Sequence, residues 1–249
     1  MRTLGLFEIL LIALVVLLLF GGPLVPRLAA SLGRRVRSTA DQAYWVYNSM
    51  AGTEEEEIEA EARVGRQLAQ GFREQVPPDP DPAAAERVAR LGRRLAETET
   101  ARKRTFTFEV VGGAAANAYA LPGGHVFITR RLLDLCEEDD EVAFVLAHEM
   151  GHVLCRHFVA KYTLEMALQH LRAGQLIGQL LGKGYSREQE HEADRAGAAL
   201  AQDAGFTSGG ALRFFRKLAA LSGEHSSFLA EYLSTHPAPA ERSAALQRG

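Results

Sequence analysis

Residues 145–157 read VLAHEMGHVLCRH, with three histidines and a glutamate inside an otherwise apolar run. On a helix, His148 and His152 lie one turn apart on one face, about 6 Å apart along the axis. Two imidazoles so placed can reach one zinc ion. Glu149 is rotated about 100° from His148, where it can act as general base on a metal-activated water without ligating the metal. Gly151 removes a side chain where another element must come close. His157 is the tempting third ligand. A metzincin pattern would need glycine at 155 and histidine at 158, and the chain has Cys155 and Phe158. On an unbroken helix His157 points about 140° away from His152, so a solvated or capping histidine is expected there.

The third ligand must therefore come from another segment. YSREQEHEADRAG (185–197) carries two carboxylate pairs at helical spacing, Glu190 with Asp194 and Glu188 with Glu192. Either pair could supply one ligand and one carboxylate that orients a ligand imidazole. Spacing alone leaves the choice open, and a merely solvated charged face is a third reading.

The elements that must position these groups can be read coarsely. EEEEIEAEARVGRQLAQGFREQV (54–76) has a helical pattern with acidic residues at its start. PPDPDP (77–82) breaks the chain, and Pro82 opens a further helix. TFTFEVV (105–111), NAYAL (117–121) and HVFIT (125–129) read as strands, the last leading into a helix. Residues 139–182 read as helical, as do 186–204, 209–222 and a short segment after Pro239. The expected class is α+β, mainly helical with a small antiparallel sheet.

Composition narrows the function classes. Hydrophobic residues are 47% and charged residues 24% of the 249, and the net charge is -3. A packed core is expected, and no nucleic-acid partner. Cys136 and Cys155 are too few for a disulfide framework.

The amino-terminal end differs from the rest. LGLFEILLIALVVLLLF (4–20) carries one charge, Glu8. As a helix it spans about 26 Å, at the short end for crossing a bilayer. Gly21, Gly22 and Pro23 form a hinge, and residues 26–37 have the pattern of a short basic amphipathic helix suited to an anionic membrane surface. Four arginines follow the apolar run, so the positive-inside rule puts the C-terminal bulk in the cytoplasm and the N-terminus outside. The opposite orientation, with the bulk extracytoplasmic, is the alternative. The expected organisation is a membrane anchor at 1–37, a connector at 38–53 carrying Tyr44, Trp45 and Tyr47, and a soluble domain at 54–249.

Two resemblances attach to these residues. The segment GLFEILLIALVVLLLFGGPLVPRLAASLGRRVR resembles the small pore-forming subunit of the twin-arginine translocase. Glu8, the Phe20-Gly21 hinge, Pro26 and Leu32-Gly33 match without a gap; Gly22 and Arg27 depart from the usual pattern. That resemblance implies contact with membrane lipids through residues 4–37, and self-association or contact with translocase components. HEMGH followed by Glu190-His191-Glu192-Ala193-Asp194, together with NAYALPGGHVFITRRLL and STHPAPAER, resembles the M48 family of zinc metallopeptidases over roughly 54–247. The family commonly has glycine where this chain has Arg131.

The M48 resemblance implies a zincin-type fold and one zinc ion held by His148, His152 and Glu190. It implies that Asp194 supports the first histidine. His236 would stabilise an oxyanion or cap the metal at rest, and Arg242 would support the same charge. A polypeptide substrate would lie extended beside Asn117, Ala118, Tyr119 and Ala120. The implied activity is peptide-bond hydrolysis on unfolded or membrane-associated proteins, in protein quality control. The competing class is a non-catalytic, translocase-associated membrane adaptor with a structural zinc site, in which Glu149 would have no task. A prenyl-protein protease is a third reading, but this chain has one convincing span. His125, His170, His191 and His225 fit no ligand position.

Overall fold

The computed structural model describes residues 41, 44–49, 51–98, 100, 101, 103–159, 184–221, 226–236 and 239–248. The expected membrane span, hinge and amphipathic helix, and the helical stretch 160–182, lie outside the described residues. The chain divides into Met1–Tyr44 and Trp45–Gly249, and the second unit is the one that carries the chemistry. Among the described residues no helix is long and apolar enough to cross a membrane.

Local chemistry sets most of the element boundaries. Helix α1 (Glu54–Gln75) starts at Thr53, whose hydroxyl and Glu56 form a reciprocal capping box, with four glutamates at the positive end of the helix dipole. Helix α2 (Pro82–Ala96) starts where Asp81 accepts from the Ala83 N–H and Pro82 needs no donor partner. Then come β1 (Thr107–Val111), β2 (Ala118–Leu121), β3 (His125–Thr129) and the short α3 (Arg130–Leu133). Helix α4 (Asp139–Leu154) is followed by α5 (Arg187–Asp203), α6 (Gly209–Leu221), α7 (Ser226–Thr235) and α8 (Pro239–Leu246). Helix α7 was not anticipated from the sequence.

The sheet differs from the expected antiparallel one. Its order is β1-β3-β2, with β1 parallel and β2 antiparallel to β3, so it is mixed. The hairpin β2–β3 turns at Pro122-Gly123-Gly124, and β3 then runs beside β1 with Thr107 opposite His125. This leaves β2 at the edge, with α4 packed against it.

Helix α4 is the centre of the fold. Val142, Phe144, Val145, Leu146, Ala147 and Met150 are all buried, so the helix is apolar on every face. It packs on α5, α6, α2 and β2. A second, smaller core joins Trp45, Val64, Leu68, Phe72, Phe127 and Phe158. Trp45 thus belongs to a core, with its ring 6.3 Å from Phe158, whereas Tyr44 and Tyr47 are exposed.

The crossing of α4 and α5 depends on two missing side chains. A Cβ on Gly151 would lie 2.8 Å from the Ala193 carbonyl oxygen, and one on Gly197 would lie 2.8 Å from the His148 nitrogen. Both obstacles are backbone, which cannot rotate aside, so only glycine allows this approach.

Helix α4 does not run on through residue 157. It ends at Leu154, with Cys155 as its cap. Arg156 takes a φ of 59°, the only non-glycine residue with positive φ among those described. The chain turns there, and residues 157–159 start a new helical segment.

Candidate active site

Helices α4 and α5 carry the chemistry into a buried pocket. His148, Glu149 and His152 on α4 and Glu190 and Asp194 on α5 are each about 1% exposed. Of the two carboxylate pairs weighed from spacing, Glu190 and Asp194 face inward, while Glu188 and Glu192 are exposed. A capping box at Ser186 and Gln189 starts α5 immediately before Glu190. The segment after α7 adds His236, and α8 adds Arg242, both buried.

Their ligand atoms converge. His148 Nε2 lies 3.1 Å from His152 Nε2, and Glu190 Oε1 lies 3.4 Å from His152 Nε2. His236 Nδ1 is 3.2 Å from Glu190 Oε1 and 3.4 Å from His148 Nε2. Donor atoms of His148, His152, Glu190 and His236 all lie within 4.8 Å of one another.

The opposite edges of the imidazoles fix which nitrogens are free. His148 Nδ1 sits 3.0 Å from Asp194 Oδ1 and can donate its proton there. Its Nε2 lone pair then faces the cluster. His152 stacks on the Tyr185 ring, with centroids 3.9 Å apart and planes 18° apart. Its Nδ1 lies 2.9 Å from His157 Nδ1. The expectation for His157 as a solvated or capping residue is therefore corrected: it is 4% exposed and touches a ligand histidine. The turn at Arg156 brings it back, a turn that an unbroken helix would not make.

Electrostatics favour a dication. Burial drives His152 well below the usual imidazole range, so its ring is neutral. Burial works to raise the Glu190 carboxyl, but His236, His152 and His148 outweigh it and hold Glu190 far below the carboxylate range. Burial likewise opposes ionisation of Asp194, and Arg242 with His148 overrides it. For His236 burial lowers the pKa, and the Glu190 and Glu149 carboxylates more than reverse that, raising it. The pocket buries three acidic side chains, Glu149, Glu190 and Asp194, and one guanidinium, Arg242, which pairs with Glu190 and Asp194.

These residues fit a zinc ion on their own chemistry. The Nε2 atoms of His148 and His152 and the Glu190 carboxylate converge in a buried pocket, a nitrogen and oxygen donor set of the kind that holds zinc, and packing such groups together out of water is costly unless a cation sits among them. Glu149 stands beside this cluster. Its Oε1 is buried without a hydrogen-bond partner and lies 3.6 Å from His236 Nε2.

Arg242 holds the carboxylates. Its Nη1 is 2.7 Å from Glu190 Oε2, and Nε and Nη2 donate to the two oxygens of Asp194 at 2.7 and 2.6 Å. Its guanidinium also stacks over Phe215 at 5.0 Å.

The edge strand is tied to α7. The Asn117 side-chain amide donates to Glu231 Oε1 at 3.1 Å and the Tyr119 hydroxyl donates to the same oxygen. Ala118 and Ala120 follow on β2, paired with Ile128 and Val126. Sequence reasoning missed Glu231 because its partners are more than a hundred residues away and nothing local marks it.

A helix presenting H-E-x-x-H against a second helix presenting E-x-x-x-D defines a metallopeptidase of the gluzincin type. The sequence profile of peptidase family M48 matches residues 82–249. The chain belongs to that family. Residues 3–39 separately match the profile of the mttA/Hcf106 family. Among curated proteins, the mitochondrial metalloendopeptidase OMA1 of Schizosaccharomyces pombe is 31% identical over 168 residues, covering 62% of this chain and 50% of its own length. The Arabidopsis thaliana OMA1 is 34% identical over 145 residues, or 54% of this chain and 29% of that protein. The beta-barrel assembly-enhancing protease of Escherichia coli K12 is 28% identical over 208 residues, 74% of this chain and 42% of that protein. The chain thus spans half or less of the length of these relatives.

Proposed function

We propose that this protein is a membrane-anchored zinc endopeptidase acting on unfolded or membrane-associated polypeptides. The observation that carries the reading is the buried convergence of His148, His152 and Glu190 with the unpartnered Glu149 oxygen beside them. Those three residues would hold the metal, and Asp194 would fix the proton on His148 Nδ1. Zinc in this site supplies Lewis acidity to a water and to the scissile carbonyl.

The chain's own residues do the rest. Glu149 takes a proton from the attacking water and returns it to the leaving amine. His236, raised by its carboxylate neighbours, donates an N–H to the developing oxyanion. At rest the same ring caps the donor set, 3.2 Å from Glu190 and 3.4 Å from His148. Arg242 supports the charge of the site through Glu190 and Asp194. A substrate strand would extend β2 beside Asn117, Ala118, Tyr119 and Ala120, with backbone hydrogen bonds giving affinity for extended chain. That mode favours unfolded segments over a fixed side-chain sequence.

The test is casein cleavage by the full chain in detergent. Stripping metal with a chelator should abolish cleavage, and about one equivalent of zinc should restore it. A fully zinc-loaded chain that leaves casein intact would favour the adaptor reading, in which the metal is structural.

The anchor rests on the apolar run 4–20 and on the mttA/Hcf106 match over residues 3–39. Lipids, further copies of the chain and translocase components are the partners this segment suits. The arginines after the run support a cytoplasmic peptidase domain. A reporter fused at the C-terminus should be active only if it works in the cytoplasm. Activity of an export-dependent reporter instead would reverse the orientation.

A further inference from the structure

His148 has a carboxylate at its back, Asp194, at 3.0 Å. His152 has none. What stands behind it is a second imidazole, His157, with its Nδ1 2.9 Å from His152 Nδ1. The other nitrogen of His157, Nε2, lies 3.2 Å from Glu192 Oε2. Glu192 is 56% exposed at its side chain, whereas His157 and His152 are buried.

These contacts admit one arrangement of protons when His152 is a ligand. Its Nε2 must offer a lone pair to the cluster, so its Nδ1 carries the hydrogen. His157 Nδ1 must then accept, which places the His157 proton on Nε2, facing Glu192. Glu192 is an acceptor in its ionised form and completes the chain.

We propose that His157 is a positioning residue, which accepts from His152 and donates to Glu192, so that His152 is locked with its Nε2 lone pair toward the metal. The inference rests on the zinc-site reading above. The two ligand histidines are thus oriented differently. Asp194 acts directly from within the core, and Glu192 acts from the surface through an intervening ring.

The fold expends local strain to make this contact. Arg156 adopts φ 59°, a left-handed conformation that is strained for a residue with a Cβ. It is held there by its side chain, with Nη2 donating to the Ser49 carbonyl at 2.8 Å and Nε pairing with Glu57 at 2.5 Å. That turn is what returns His157 beneath His152.

Cys155 lies in the same cluster, with donor atoms of Cys155, His157 and Glu192 within 4.8 Å of each other. If a second metal ion bound there, His157 Nε2 would be a ligand and could not donate to Glu192. Burial, aided by Glu192, pushes the Cys155 thiol up to about 11, which keeps it protonated and favours the hydrogen-bonded arrangement.

The experiment measures zinc affinity of the metal-free full chain in detergent by competition with a chromophoric chelator, alongside thermal unfolding of the metal-free form. H157A should weaken zinc binding about 10–100-fold, the usual effect of losing a group that orients a ligand. H157Q should recover most of this, because its amide can accept from His152 and donate to Glu192. E192A, a surface change that should not disturb folding, should weaken zinc binding by a smaller factor, with unchanged unfolding of the metal-free chain. Wild-type zinc affinity in a folded H157A would overturn the proposal, and should H157A fail to fold, unaltered zinc affinity in E192A would overturn it. So would a wild-type chain that binds two zinc ions and loses the second in C155S. Because zinc affinity is read without substrate, failure of this proposal is separable from failure of the peptidase reading: the chain could cleave casein while His157 proved indifferent.

Discussion

Replacing Glu149 with glutamine is expected to lower kcat by about 10²–10⁴-fold, the range for removing a general acid–base. This corresponds to about 3–5 kcal/mol of lost transition-state stabilisation. Zinc content should stay near one per chain, because Glu149 is set apart from the ligand face and its Oε1 has no hydrogen-bond partner to lose. The glutamine is nearly isosteric, so the α4 packing around it should hold. The measurement is casein or quenched-peptide hydrolysis on protein whose metal content has been determined. Wild-type turnover in a fully loaded variant would remove Glu149 from the mechanism. Loss of zinc together with activity would make it a metal-site residue instead.

Arg242→Ala should have the largest effect on stability, about 3–5 kcal/mol, because it strips the partner from charges that remain buried. Arg242 is 1% exposed; its Nε and Nη2 donate to the two oxygens of Asp194, and its Nη1 forms an ion pair with Glu190. Without it, two carboxylates in a water-excluded pocket repel each other and His148 loses a fixed neighbour. Zinc should recover part of the loss, since a dication beside Glu190 replaces some of the missing charge. Thermal or denaturant unfolding of the metal-free and zinc-loaded forms reads both effects. A variant that unfolds like the wild type but has lost activity would show that Arg242 serves the oxyanion rather than the scaffold.

The two helices of the site were legible because their chemistry is local. HEMGH states a one-turn spacing outright, and Ser186, Gln189, Asp81 and Pro82 mark where helices begin. The choice of Glu190 and Asp194 over Glu188 and Glu192 was not in the spacing, which is the same for both pairs. It is made by which face of α5 meets α4. The end of α4 was illegible for a different reason. Cys155 and Arg156 are not helix breakers, and no glycine or proline announces the turn that sets His157 in place. The mixed sheet was missed because β1 pairs with β3 and not with β2, the strand that follows it in the chain, and alternation along one strand says nothing about its neighbour's direction. Helix α7 has no charge pattern to separate it, and its link to the edge strand runs from Glu231 to Asn117 and Tyr119.

The paired glycines at the α4–α5 crossing have a consequence for anyone copying this site. The four side chains that look indispensable, His148, Glu149, His152 and Glu190, could be grafted faithfully onto two helices of another scaffold and still fail. With ordinary residues at the places of Gly151 and Gly197, the helices would stand farther apart and the carboxylate would no longer reach the imidazoles. What would have to be transplanted is an absence. The recipe for this centre includes two blank positions, and they set its dimensions as firmly as the ligands do.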